Sequence, residues 1–240
     1  MDYLSKVAEQ LKSLQASTSG QLTSIGGLIA EQLRQGGIIH LFGCGHSSLL
    51  AQEPFYRAGG LVPVRPITIE PLMLHQGAVQ SSIKEKTVDF VNDYLLEEDI
   101  REGDVLIVIS TSGRNPAPID VALFGQKKGA YVIGLMSKKY ASSQPSRHPS
   151  GKRLEQVVDV VIDTQVSVGD SMIEKEGIAQ AFAPASSVIG TALIQALFAK
   201  TIVCFKELGE APPIFLSGNI DGVEQHNQSL VEKYKDRIKF

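Results

Sequence analysis

Five consecutive apolar residues, Val105-Leu106-Ile107-Val108-Ile109, run without polar alternation into Ser110-Thr111-Ser112-Gly113-Arg114-Asn115-Pro116. A short β-branched run that never alternates reads as a strand buried on both faces, the usual state of strands in parallel sheets covered by helices on each side. The chain around it has that rhythm. Ile38–Phe42 is a strand closing on glycines, followed by a helix over Ser47–Ala58. Leu61–Ile69 is a second strand, marked as edge or irregular by Pro63 and Pro66. Residues 70–98 read as helix in two pieces, Pro116–Lys128 as a helix, Tyr131–Met136 and Val157–Ile162 as strands, and 137–154 as a polar loop. Alternating strands and helices predict an α/β fold with a parallel sheet.

Two long helical patterns flank this core. In residues 2–35, Leu4, Val7, Leu11, Leu14, Leu22, Ile25, Ile29 and Leu33 recur at helical spacing on one stripe, and Gly36-Gly37 ends the run. A narrow stripe with no helical partner following it points to a second subunit. Ser186–Phe205 is the only stretch of membrane length, but Gln195, Lys200 and its Ser and Thr residues make it a buried helix within Pro184–Leu208 rather than a span. A chain that is 43% hydrophobic and 20% charged can bury a real core. The segments expected are an N-terminal helix over 1–36, an α/β domain over 37–208 and an extended tail with a final helix over 209–240.

In such sheets ligands collect beyond the carboxyl ends of the strands. After the first strand comes Gly43-Cys44-Gly45-His46-Ser47-Ser48. A dinucleotide turn would want Gly where Ser48 stands, and a P-loop would want Lys before its hydroxyl. What remains is a tight turn opening a helix, whose free N–H groups suit a phosphate, with Ser47 as a plain N-cap being an equal reading. After the third strand, three consecutive hydroxyls and then Gly113 and Asn115 precede a helix-starting proline. Such a loop binds a phosphate without a fixed counter-charge. Two such loops on adjacent strands are far more specific than either alone.

These loops, the strand spacing and the N-terminal helix resemble the sugar isomerase (SIS) family of phosphosugar isomerases and binding domains, over about residues 35–205. The chain looks most like a group of stand-alone bacterial SIS proteins. Ser-Gly-Arg-Asn-Pro at 112–116 is also similar to the matching loop of the N-acetylmuramic acid 6-phosphate etherases, which usually carry Thr where Asn115 stands. The resemblance implies a three-layer αβα sandwich with a flavodoxin-like five-stranded sheet. It also implies a phosphate held by Ser47, Ser110, Ser112 and Asn115 with help from the Thr111 and Gly113 backbone, and places Gly45 and Ser48 among the residues that bind the phosphate or sugar.

Members of the family tend to carry a catalytic Glu between the second and third strands, which singles out Glu85; Lys84 and Lys86 beside it would lower its pKa unless burial opposes them. His75 is the ring-opening partner this implies. For both, an ordinary structural role competes: a solvated helix residue for Glu85, a partly buried imidazole for His75. Glu70 lies about 20 residues past the glycine turn, where a nicotinamide site puts its ribose carboxylate, but the missing third Gly argues against that. Glu97-Glu98-Asp99 reads as a solvated helix end, and Arg147-His148 through Lys152-Arg153 as a basic loop able to approach a second anionic group or a partner subunit. Ser217, Asn219 and His226 could reach a neighbour's pocket.

The five histidines, His40, His46, His75, His148 and His226, show no metal spacing, and aldose–ketose chemistry calls for no metal or redox cofactor. Net charge −3 and a pI near 6.0 argue against nucleic acid. Two cysteines and no signal-like N-terminus predict a cytoplasmic protein without membrane contact, working on a small sugar phosphate as a homodimer or higher homo-oligomer. Isomerisation through a cis-enediol is the first function expected. An etherase-like lyase starting from the same proton abstraction and a non-catalytic sugar-phosphate sensor are the alternatives; residues 1–35 are too short for the DNA-binding module such sensors carry.

Overall fold

A computed structural model describes residues 2–240. Its elements are α1 (Tyr3–Arg34), β1 (Ile39–Gly43), α2 (His46–Gln52), β2 (Val64–Pro66), α3 (Ala78–Glu85), α4 (Asn92–Leu95), β3 (Val105–Ile109), α5 (Pro116–Lys127), β4 (Tyr131–Met136), α6 (Lys138–Ser142), β5 (Val160–Asp163), α7 (Ser186–Glu207) and α8 (Glu224–Tyr234). The five strands lie in the order β2-β1-β3-β4-β5 and all pair in parallel. This is the flavodoxin-like order, with the switch between β1 and β3.

The apolar run of β3 is buried along its whole length, and it serves two cores. Val105, Ile107 and Ile109 join Ile39, Leu41, Ile133 and Leu135 against α1, α2 and α7; Leu106 and Val108 face α5 and α4 with Phe42, Val132, Val91 and Leu95. Period-two side-chain direction therefore gives the three-layer sandwich directly.

From Val7 onward the stripe of α1 is covered within the chain, while Leu4 stays exposed. Leu14, Leu22, Ile25, Ile29 and Leu33 share one core with Ile189, Leu193, Ile194, Leu197 and Phe198 of α7. The helical partner that seemed to be missing is thus α7, remote in sequence. The same contact accounts for the apolar character of α7, whose mean hydropathy of 1.9 would by itself allow a membrane crossing.

Several boundaries differ from the expected ones. β2 is three residues rather than Leu61–Ile69, because Pro63 and Pro66 lack N–H groups; Leu61 instead bridges Ile214 antiparallel. α2 stops at Gln52 instead of Ala58: Glu53 keeps helical angles and its N–H donates to Leu49 O, but Pro54 has no N–H to carry the ladder further. The 70–98 region is more broken than two helices: short 3-10 turns at Glu70–Leu72 and Leu74–Gln76 precede α3 and the single-turn α4. The polar loop 137–154 contains α6, capped by Ser137, whose hydroxyl accepts from Tyr140 N–H. β5 begins at Val160 rather than Val157, as Leu154–Gln156 turns and Asp159 accepts from the Val132 N–H at 2.7 Å.

Candidate active site

The register of β1 against β3 sets Gly43 beside Ile109, so the two loops leave adjacent strands at one level. The first turn is built on close approach. A Cβ on Gly43 would lie 2.4 Å from the Ser47 carbonyl oxygen, so only glycine lets the strand pass the first turn of α2. Ser48 is buried, and its hydroxyl donates to Gly45 O at 2.7 Å, bracing the turn. Gly45, not Ser47, is the N-cap of α2. Among the described residues the Ser47 hydroxyl has no hydrogen-bond partner.

The second loop is stapled at its backbone. Ser110 N–H donates to Leu135 O, Ser137 N–H donates to Thr111 O, and Leu154 N–H donates to Gly113 O. Gly113 has φ +59° and packs where a Cβ would strike Met136, so the turn needs glycine twice over. Ser110 is buried and its hydroxyl accepts from Gly113 N–H at 3.3 Å. Thr111 and Ser112 are half-buried, with hydroxyls that find no partner among the described residues.

Asn115 is the N-cap of α5, yet its side chain makes no capping bond. Its Nδ2 donates to Glu85 Oε1 at 2.7 Å, and its Oδ1 accepts from Arg147 Nη1 at 2.9 Å. The last residue of α3 is thereby brought to the second loop. Burial pushes the Glu85 carboxyl up from its ordinary value; the Asn115 bond, Lys86 and Arg147 oppose it without cancelling it. Lys86 lowers Glu85 as the sequence suggested, but the opposing burial is the larger effect. Lys84 turns away over the Phe90 ring, 5.8 Å from its centroid. Cys44 lies close to the same carboxylate, and burial first, then Glu85, push its thiol well up, so it remains a neutral S–H.

His75 sits exposed on the turn before α3 and is joined to Glu70 at 2.9 Å. That bond, and one from Gln76, hold the exposed Glu70 carboxyl below its usual range. No hydrogen bond among the described residues links His75 to Glu85, although Leu74 next to it approaches Gly45 of the first turn.

The basic loop after α6 is drawn onto the cradle. Arg147 N–H donates to Arg114 O, and Arg114 Nε donates to Pro145 O. Ser150 N–H donates to His148 Nδ1, so Nε2 carries the proton that it donates to Asp120 Oδ1 at 2.9 Å. Arg147 and Cys44 are the site neighbours that sequence reasoning missed; the one signal for Arg147 was the basic character of its loop.

Other candidates make hydrogen bonds away from these two loops. His226 donates to Ile214 O, and Asn219 N–H donates to the Ser217 hydroxyl, which keeps these residues within the C-terminal segment. Asp99 of the acidic cluster clamps Arg237, and Glu98 faces Arg65 at 2.7 Å. Among the described residues no three His, Cys, Asp or Glu side chains are grouped to hold a metal ion.

Residues 2–137 match the SIS domain family. A UPF0309 protein of Geobacillus kaustophilus is 51% identical over 236 residues, spanning 98% of this chain and 94% of its own length. Among solved structures, a phosphoheptose isomerase from Neisseria gonorrhoeae superposes with a TM-score of 0.53 at 16% identity, covering 85% of this chain and 95% of its own. One from Francisella tularensis gives 0.50 at 14% identity, with 84% and 98% covered. At such identities these two structures share the fold.

Proposed function

The chain belongs to the SIS domain family, and on that premise we propose that it binds a sugar phosphate and interconverts its aldose and ketose forms through a cis-enediol. The observation that carries the reading is the hydrogen bond of Glu85 to Asn115. It sets a carboxylate of raised proton affinity beside a loop whose Ser112 and Thr111 hydroxyls stand free.

In this reading Ser47, Ser110, Thr111, Ser112 and Asn115 bind the phosphate at the amino ends of α2 and α5, while Gly45 and Gly113, whose N–H groups donate to Leu72 O and to Ser110, shape the two turns and Ser48 braces the first. Glu85 removes the proton at C2 of the open-chain aldose. The electron pair moves into the C1–C2 bond and the carbonyl oxygen takes a proton to give the enediol. Return of the proton to C1, with loss of the proton from the C2 hydroxyl as its oxygen becomes the carbonyl, then yields the ketose. His75, accessible on the turn that adjoins Gly45, is the group assigned to ring opening. Free Cys44 and Cys204 suit a reducing cytoplasm as its setting.

A thermal-shift screen against sugar phosphates and their unphosphorylated sugars tests binding, and deuterium uptake at C2 of each hit tests the chemistry. Stabilisation by the phosphorylated forms with exchange and ketose formation is the expected result. Release of lactate from a muramic acid phosphate would assign an elimination instead, and binding without exchange would leave a sensor. Ser112→Ala is expected to weaken phosphate binding by about 1–3 kcal/mol, through loss of a charge-assisted bond. Unchanged affinity by calorimetry would take Ser112 out of the cradle.

The same reading takes the working unit as a homodimer. Ala196, Ala199 and Val203 leave an exposed apolar stripe on α7 beside α1. Sedimentation equilibrium showing only monomer at micromolar concentration would remove this part.

A further inference from the structure

Asn115 is buried, and a buried amide needs partners at both ends. It has them, in a chain that runs from Arg147 Nη1 to Asn115 Oδ1 at 2.9 Å and from Asn115 Nδ2 to Glu85 Oε1 at 2.7 Å. The direction of this chain is not free. A guanidinium can only donate, so Arg147 requires the amide oxygen to face it. The NH2 group must then face Glu85, and a donor aimed at a carboxyl oxygen favours the ionised form.

Arg147 is exposed, but its loop is fixed on either side of it. Its own N–H donates to Arg114 O, Arg114 Nε donates to Pro145 O, and His148 Nε2 donates to Asp120 Oδ1. No carboxylate pairs with Arg147 among the described residues, so its charge is directed at the amide and, beyond it, at Glu85.

We propose that Arg147 is a positioning residue that locks the Asn115 amide with its NH2 toward Glu85 and so keeps that carboxylate ionised and ready to accept a proton. The proposal rests on Glu85 being the base of the proposed reaction, but its physical content concerns the carboxylate alone. The groups facing Glu85 are the Cys44 thiol from the β1 turn, Asn115 from α5, Lys86 from its own segment and Arg147 from the loop after α6. Cys44 stays neutral and Lys86 is unaltered in the variants below. Without Arg147 the amide can turn its oxygen toward Glu85, which favours the protonated acid.

The test titrates the Glu85 carboxyl carbon by 13C NMR in the full chain, assigned by its absence in Glu85→Gln. Arg147→Ala is expected to move the Glu85 midpoint up by about one pH unit. Arg147→Lys, which keeps the charge and a donor, should recover most of the shift. The deciding comparison repeats Arg147→Ala in an Asn115→Ala background, which α5 should tolerate because the Asn115 side chain makes no capping bond. There the shift should largely vanish. An equal shift in both backgrounds, or none in either, overturns the relay. Because the titration needs no substrate, its failure is separable from failure of the isomerase reading. If both hold, the acid limb of the C2 exchange profile moves up by the same amount in Arg147→Ala.

Discussion

Glu85→Gln is expected to reduce C2 deuterium exchange by about 10²–10⁴-fold, the range for loss of a general base, with little change in phosphate affinity. The substitution is close to isosteric, and the Gln carbonyl can still accept from Asn115 Nδ2, so the geometry of α3 against the second loop survives. What is lost is the ability to take up a proton. Folding should not suffer. Burial raises the Glu85 carboxyl in the folded state, so its contribution to stability is complete below the ordinary carboxylate value and is lost as pH rises through the raised one. At pH 7 the ionised carboxylate is therefore a cost that Gln does not carry, and the variant should unfold at the same or a higher denaturant concentration. Exchange in the wild type should fall on the acid side with a midpoint above 4.5, the unperturbed value. Exchange that persists in Glu85→Gln would remove Glu85 as the base.

Asp104→Ala is expected to destabilise the fold by about 3–5 kcal/mol, a large share of the roughly 5–15 kcal/mol of a typical domain. Its side chain is 1% exposed and lies just before β3, at the end of the sheet opposite the cradle. Oδ1 accepts from the Ile38 N–H at 3.0 Å; Oδ2 accepts from the Arg101 N–H at 2.9 Å, from His40 Nε2 at 3.1 Å and from Arg237 Nη2 at 2.7 Å. One carboxylate thus joins the entries of β1 and β3 to the C-terminal segment. Truncation strips the buried His40 ring, whose Nδ1 already lacks a partner, of its other bond, and leaves Arg237 held by Asp99 alone.

The pH dependence follows the same bonds. Burial alone would raise Asp104, but the bonds from His40, Arg237 and the two backbone N–H groups outweigh it and hold the carboxyl at about 2. A lowered folded value means stability that is present above the unfolded value of 3.8 and lost as pH falls toward 2. The gap between wild type and Asp104→Ala, measured by urea unfolding, should therefore narrow over that window. A variant within 1 kcal/mol of wild type at pH 7 would show that the hub adds little, about what an exposed ion pair supplies.

These two residues differ in how visible they are in the chain. Glu85 comes into view through family resemblance, and then only as one acid among several in a charged stretch. Its link to Asn115 spans 30 positions, and that of Asn115 to Arg147 spans 32. Asp104 has no local signature: it follows an acidic stretch, Glu97-Glu98-Asp99, that reads as a solvated helix end, and its partner Arg237 lies 133 positions away.

Local chemistry is another matter. The unalternating run Val105–Ile109 implied burial on both faces, and β3 divides its side chains between two cores. Strand–helix alternation implied a parallel sheet, and the glycine and hydroxyl turns at Gly43 and Ser110 implied that ligand chemistry would collect at one edge of it. Periodicity, turn geometry and proline restriction act within a few residues, so the chain states them outright. Which helix covers α1, which way the Asn115 amide faces, and whether burial or neighbouring lysines govern Glu85 depend on side chains that meet only after the crossovers have closed. Burial and hydrogen-bond direction are properties of that assembled neighbourhood, and only the tertiary structure decided them.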